Sequence, residues 1–369
     1  MKRFYYCAAM LMIAASLTTL SSCDDDDEIT IAAEEEETTT TIVTTTEGAY
    51  VINTGDWYAN NGSIMWYDPS AMSISDDLFE TANGSGIGDA QDMIVYGTRA
   101  YIACSTSAKI EIVDRESFVV EQTLNLANDE GQSIQPRYLV ADGGYVYYTA
   151  YDGTVNRIDT LSLSVTASVD LGSYTYPEAL SAANGKLYIN ISGYGSGSTI
   201  AVVDIDSFTL TDELDVVLDP YDVNFLADDG YVYFTSMGDY GYTTRATLQR
   251  IDPETDEVST ICYAAKAAYY DDKIYYISAD YYSSDPGEIG VYDLSSGSSS
   301  TFVDYDSFMY PQFIAVDPIS GDVYIGDYSY GVKNDLYIYS NDGELIDQQE
   351  VGFYTTNVRF ITAETEVTE

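Results

Sequence analysis
The sequence predicts an all-β protein, a seven-bladed β-propeller whose ring is closed by a C-terminal strand pairing into the first blade. Three observations carry that expectation. Short aliphatic runs ending in an aspartate and a turn recur along the chain: IMWYDPS, IEIVDRES, VNRIDTLS, IAVVDIDS, LQRIDPET, IGVYDLSS and, with serine at the marker, LYIYSNDG. The markers Asp68, Asp114, Asp159, Asp204, Asp252, Asp293 and Ser340 stand 46, 45, 45, 48, 41 and 47 residues apart, the length of a blade of four short strands. The first unit, opening at GAYVINTG, lacks an inner strand, while the last is followed by a surplus one, NVRFITA. Joining the two would close the ring and cover two sheet edges.

Within a unit the strand order is legible. In the third, RYLVAD, YVYYTA, TVNRID and VTASVD are separated by GG, YDG and TLSLS. Four residues before the marker stand Ile64, Ile110, Val155, Ile200, Leu248, Ile289 and Leu336, aliphatic in every unit. Apolar residues on both strand faces fit sheets packed between neighbouring sheets, where neither face meets water. The propeller is expected to occupy residues 48–369 as one domain, large enough for a sound core.

The residues before it read differently. Lys2 and Arg3, an apolar run from Ala8 to Leu17 and small residues up to Cys23 have the layout of a secretory signal, expected over 1–22. Leu20, Ser21, Ser22 and Cys23 resemble a lipobox, which makes Cys23 the expected lipidation site and a lipid anchor the only expected membrane attachment. From 23 to 47 acidic runs and threonines lack aliphatic periodicity, so a solvated tether is expected.

Composition removes several classes of function. The net charge of −47 repels nucleic acid and anionic lipid headgroups. The chain contains no histidine, which excludes histidine-based zinc sites and serine–histidine catalysis. Beyond Cys7 and Cys23 only Cys104 and Cys262 remain, each in an apolar run and read as a buried thiol. No D-x-D-x-D-G loop supports a calcium site, and neither a metal nor a cofactor is expected.

Numbering the strands A to D from the axis, the A–B and C–D turns lie on one face and the B–C and D–A connections on the other. The first set is compact: GT, GG, NG, DDG, and DRES, DTLS, DIDS, DPET. The second holds TGDWYANNGS, SGYGSGS, SMGDYGYTTRA, ADYYSSDPGE and GDYSYGVKND, long and rich in tyrosine. QPRY, TYPE, DPYD and YPQ open inner strands on the same face and should ring the mouth of the central channel, with Pro136, Pro177, Pro220 and Pro311 pre-setting the backbone. The aromatic candidates for ligand contact are Trp57, Tyr58, Tyr138, Tyr176, Tyr194, Tyr221, Tyr240, Tyr242, Tyr281, Tyr282, Tyr310, Tyr328 and Tyr330. The polar candidates are Asp56, Asn60, Asn61, Gln91, Asp92, Arg137, Glu178, Asp222, Arg245 and Gln312. Tyrosine and tryptophan offer rigid contact area at low entropic cost, and amides offer adaptable hydrogen bonds. The bland reading is that tyrosine, present 37 times, simply fills this chain.

The motifs AYVINTGDWYANNGSIMWYDP, AQDMIVYGTRAYIACSTSAKIEIVD, QPRYLVADGGYVYYTAYDGTVNRID and YPEALSAANGKLYINISGYGSGSTIAVVD resemble the YncE-like propeller surface lipoproteins of Bacteroidota. The resemblance runs from Gly48 to the end. It includes the BtuG-type branch, whose members bind cobalamin and cap an outer-membrane, TonB-dependent transporter. It therefore implies an outer-membrane, outward-facing lipoprotein, monomeric apart from its transporter, that captures a corrinoid and catalyses nothing. A glycan- or protein-binding propeller stays open beside it, as does a hydrolase using Asp92, Glu178 or Asp222.

Overall fold
The computed structural model describes residues 40–56, 58–128, 130–173, 175–239, 243–279 and 287–368. The expected signal, Cys23 and the acidic run up to residue 39 lie outside the described residues. Among those described, 28 strands, β1 to β28 in chain order, form seven four-stranded antiparallel sheets arranged as a seven-bladed propeller. Blade one is built from β28 (Thr355–Thr368), β1 (Thr40–Asn53), β2 (Ser63–Asp68) and β3 (Ser73–Ile74). Each later blade takes four successive strands, beginning at the axis with β4 (Asp92–Tyr96), β8 (Pro136–Asp142), β12 (Pro177–Ala183), β16 (Pro220–Leu226), β20 (Lys266–Tyr270) or β24 (Pro311–Val316). The C-terminal strand β28 pairs with β1, so the expected closure is the observed one.

The repeated aliphatic positions explain the stacking. Seven apolar clusters fill the seven gaps between blades. Tyr50, Ile52 and Ile64 of blade one meet Met93, Ile102 and Val113 of blade two. At the other side of the ring Phe313, Tyr324 and Leu336 of blade seven meet Ala49, Val51 and Val358 of blade one. Every blade thus buries both faces, and no blade could do so alone.

Tyrosine has a place in this core that the sequence reading did not assign. Tyr50, Tyr101, Tyr147, Tyr188, Tyr233, Tyr275 and Tyr324 occupy the same position on the second strand of each blade, and all are buried. Several hydroxyls find partners at blade edges: Tyr188 donates to Asp256 at 2.6 Å, Tyr233 to Asp229 at 2.7 Å and Tyr50 to the Arg115 carbonyl at 2.6 Å. For these seven residues the filler reading is correct. It does not reach the loops.

One boundary differs from expectation. Thr40–Thr46, expected within the tether, forms the first half of β1 and pairs with Thr362–Thr368, while the Thr46 hydroxyl donates to Asp317 at 2.7 Å. The physical reason is that threonine is β-branched and suits an extended backbone. Its partner strand supplies the hydrogen bonds that a lone polar segment lacks. Absence of aliphatic periodicity speaks only against burial.

The repeat markers cap the turns between third and fourth strands. Backbone N–H groups of Ser117, Ser162, Ser207 and Ser296 donate to Asp114, Asp159, Asp204 and Asp293 at 2.7–2.9 Å. Hydrogen bonds from these serines hold the four carboxyls below the usual aspartate range, as Ser70 does for Asp68. At the outer edge of blade one, where β3 is only two residues long, Ser75 and Asp77 side chains accept from the Trp66 and Ile64 N–H groups instead.

Two outcomes are expected. Deleting residues 355–369 removes the inner strand of blade one, and thermal unfolding followed by circular dichroism should lose its single cooperative transition. Replacing Asp159 by alanine should lower the melting temperature at neutral pH, with the deficit narrowing below about pH 4. The sign follows from the depressed folded value: that stability is complete above the unfolded pKa and disappears as pH falls through the folded one.

Candidate functional site: a tyrosine-rimmed channel mouth
The mouth is shaped where inner strands begin. Just after their opening proline, β8, β12, β16 and β24 each break register against the second strand, between Pro136 and Leu139, Pro177 and Leu180, Pro220 and Asn224, and Pro311 and Phe313. A bulge inserts unpaired residues and re-aims their side chains. The residues released are Arg137 and Tyr138, Glu178 and Ala179, Tyr221 to Val223, and Gln312. Buried polar groups satisfy the freed backbone. Asn190 donates to the Tyr221 and Val223 carbonyls at 2.8 and 3.1 Å, and Thr149 donates to the Glu178 carbonyl at 2.9 Å.

Ion pairs then link neighbouring inner strands around the mouth. Arg359 of blade one meets Asp92 of blade two at 2.7 Å, Arg137 of blade three meets Glu178 of blade four at 2.9 Å, and Lys266 of blade six meets Asp222 of blade five. Asp92 also accepts from the Leu139 N–H at 2.8 Å, and Gln91 accepts from Arg137 at 2.8 Å. Burial pushes the carboxyls of Glu178 and Asp92 up, and the guanidinium beside each opposes it. The three acids weighed as hydrolytic groups are therefore each held by a cation.

Aromatic rings extend this layer outward. The Arg137 guanidinium lies 4.4 Å from the centre of the Tyr151 ring, whose hydroxyl donates to Glu178 at 2.7 Å. Tyr151 packs edge-on to Tyr176, and Tyr176 packs against Tyr194, with ring centres 5.4 Å apart in both cases. On blade seven Tyr328 packs edge-on to Tyr354 at 4.9 Å, and Gln312 donates to the Tyr354 hydroxyl at 3.4 Å. Arg245 sits over Tyr263 at 4.3 Å. Tyr138 and Tyr221 are half-buried, and desolvation pushes both phenols well above their ordinary value, so they remain protonated donors at neutral pH.

The expected residues separate by exposure. Tyr58, Tyr194 and Tyr330 are 73%, 78% and 81% exposed, and Tyr310 and Asn60 are exposed as well. Asn61 serves its own loop by accepting from the Asp56 N–H at 2.8 Å. A shallow depression beside Tyr58, lined by Thr54, Asp56, Asn60, Gln91 and Ser105, has room for about one water. Trp57, Tyr240, Tyr242, Tyr281 and Tyr282 lie outside the described residues. Sequence reasoning missed Tyr151, Lys266, Arg359 and Tyr354. Tyr151 was in view as part of YDG, Lys266 opens an inner strand, and Arg359 lies within the C-terminal one, in a chain with only 14 basic residues. Among the described residues no cluster of three carboxylate, cysteine or histidine groups could hold a metal ion.

Solved structures superpose on this chain at low identity. Hydrazine synthase from Kuenenia stuttgartiensis superposes with a TM-score of 0.57 at 13% identity, covering 74% of this chain and 95% of that one. The RRP9 WD40 repeats give 0.51 at 10% identity, over 72% of this chain and 81% of that one. U3-55K gives 0.53 at 11%, over 72% and 82%. No family model and no curated protein matches the sequence. These likenesses are of fold alone, and the neighbours mix an enzyme with repeat proteins. The class is a seven-bladed propeller, a fold consistent with binding a ligand or a protein.

Removing Arg137 tests the mouth. Arg137→Leu leaves a buried carboxylate without its cation and should cost about 3–5 kcal/mol in urea unfolding. The double variant Arg137→Leu, Glu178→Leu should recover much of that loss.

Proposed function
We propose that this propeller is a binding protein which captures a corrinoid on its tyrosine-rimmed face and passes it to a TonB-dependent transporter of the outer membrane, to which a lipid on Cys23 anchors it on the outer side. The supporting observation is the division of labour at the mouth. Its carboxylates Asp92, Glu178 and Asp222 are bound to Arg359, Arg137 and Lys266, while the phenols of Tyr58, Tyr194 and Tyr330 and the amide of Asn60 are exposed. Groups tied in ion pairs are poorly placed to share a proton with a substrate, so the arrangement favours holding over hydrolysis. A corrinoid is broad, amphipathic and fringed with amides, which suits a wide shallow face better than a narrow pocket. With no histidine in the chain, imidazole cannot replace the lower cobalt ligand, and contact is with the intact periphery.

The exposed group Met309, Tyr330 and Val332 at the rim of blade seven favours protein contact as a second reading for that sector. Such contact is compatible with a transporter as the partner. The test is direct: purified protein mixed with cyanocobalamin and desalted should elute with the corrinoid colour and return the ligand unaltered. A colourless protein peak at high concentration refutes corrinoid capture. Trp57→Ala with Tyr58→Ala should weaken binding at least tenfold without changing the circular dichroism spectrum.

A further inference from the structure
Left-handed backbone at non-glycine residues includes two groups of note, beside Ala108, the half-buried Tyr354 and the asparagines and aspartates that tolerate it, Asn60, Asn184, Asp219, Asp271 and Asp272. The first is structural. Met72, Phe118, Leu163, Phe208 and Asp256, with φ between 48° and 60°, each stand four residues after a marker aspartate, in the slot that blade six fills with Gly297. Phe118, Leu163 and Asp256 donate their N–H groups to the marker carbonyls at 2.8–2.9 Å, and Phe118 and Phe208 are 2% and 9% exposed. The repeated turn accounts for the conformation there, even at the exposed Met72, and burial adds to it at Phe118 and Phe208.

The second population shares no turn. Tyr58, Tyr176 and Tyr194, with φ of 60°, 45° and 55°, lie in channel-mouth loops of different length. A left-handed L-residue crowds its Cβ against the following carbonyl, which is why glycine and asparagine fill such positions. Both types are near neighbours here, as Gly55, Asn60, Asn61, Gly193 and Gly195. Tyr176 also precedes Pro177, where extended backbone of negative φ is favoured. The rings of Tyr58 and Tyr194 are mostly in water, so burial returns little for the strain. An exposed aromatic held against its conformational preference is a reason to look for function.

Resting on the reading that this face captures a ligand, we propose that Tyr194, backed by Tyr176, and Tyr58 on the other side of the ring are its ligand-bearing tyrosines, and that the ligand is a neutral, ring-bearing amphipathic molecule held on the face they rim. The ring contacts from Tyr151 through Tyr176 to Tyr194 run from the buried Arg137–Glu178 pair out to solvent, a firm base for a flat contact. Neutrality is argued from charge: Asp92, Glu178 and Asp222 already have cations, Asp89 and Asp327 are taken up by backbone N–H groups, and the protein as a whole repels anions.

The test uses the full chain with two neutral probes, cyanocobalamin and maltoheptaose, and the variants Tyr58→Asn, Tyr194→Asn and Met72→Asn. Asparagine accepts the left-handed slot. The melting temperature should therefore hold or rise by about 1–3 °C in all three. Both tyrosine variants should bind a probe at least tenfold more weakly, whereas Met72→Asn, on the opposite face, should bind as the parent does. Cyanocobalamin binding that survives both tyrosine changes leaves capture intact and overturns this assignment. Maltoheptaose binding without cyanocobalamin, lost in both variants, overturns the corrinoid and upholds the assignment. Binding of neither probe by the parent, or a melting temperature that falls in both tyrosine variants while it rises in Met72→Asn, overturns it.

Discussion
The pairing of β28 with β1 is the constraint on which everything else rests. A blade here is apolar on both faces, so it is soluble only between two neighbours, and a row of seven would leave two faces in water. Supplying the inner strand of blade one from the far end of the chain converts the row into a ring. The cluster of Phe313, Tyr324, Ala49, Val51 and Val358 is the seam so made. Only a closed ring gathers inner strands from every blade around one axis, where residues more than a hundred positions apart become neighbours.

At that axis the chain uses local irregularity to make a surface. Proline sets the entry to four inner strands, and the register break that follows releases the next residues from the ladder. Their charges are then matched across blade boundaries: Asp92 to Arg359, Glu178 to Arg137, Asp222 to Lys266. The consequence is a locally balanced layer in a strongly acidic protein. Such a layer can carry neutral aromatic groups without adding to the repulsion among the surrounding carboxylates.

The fold was legible because it is written in repetition: marker spacing, aliphatic positions and the surplus strand each stated the same ring. The partition of compact and tyrosine-rich connections between faces was legible for the same reason. What composition could not show was geometry that breaks the repeat. Arg137 and Glu178 stood in QPRY and TYPE, yet their pairing across 41 residues depends on bulges, and the prolines that precede them were read only as pre-setting the backbone. Thr40–Thr46 was misjudged because its stabilisation comes from a partner near the opposite terminus rather than from its own side chains. The left-handed tyrosines were hidden for a related reason, since tyrosine is an ordinary extended-backbone residue and only coordinates reveal where it is not.

The ribbon formed by Thr40–Thr46 and Thr362–Thr368 stands on the compact-turn side of the disc, because β1 ascends from Thr40 there to Asn53 at the mouth. Chain preceding Thr40 therefore reaches the disc opposite the tyrosine face, and the rings are turned away from that point of entry.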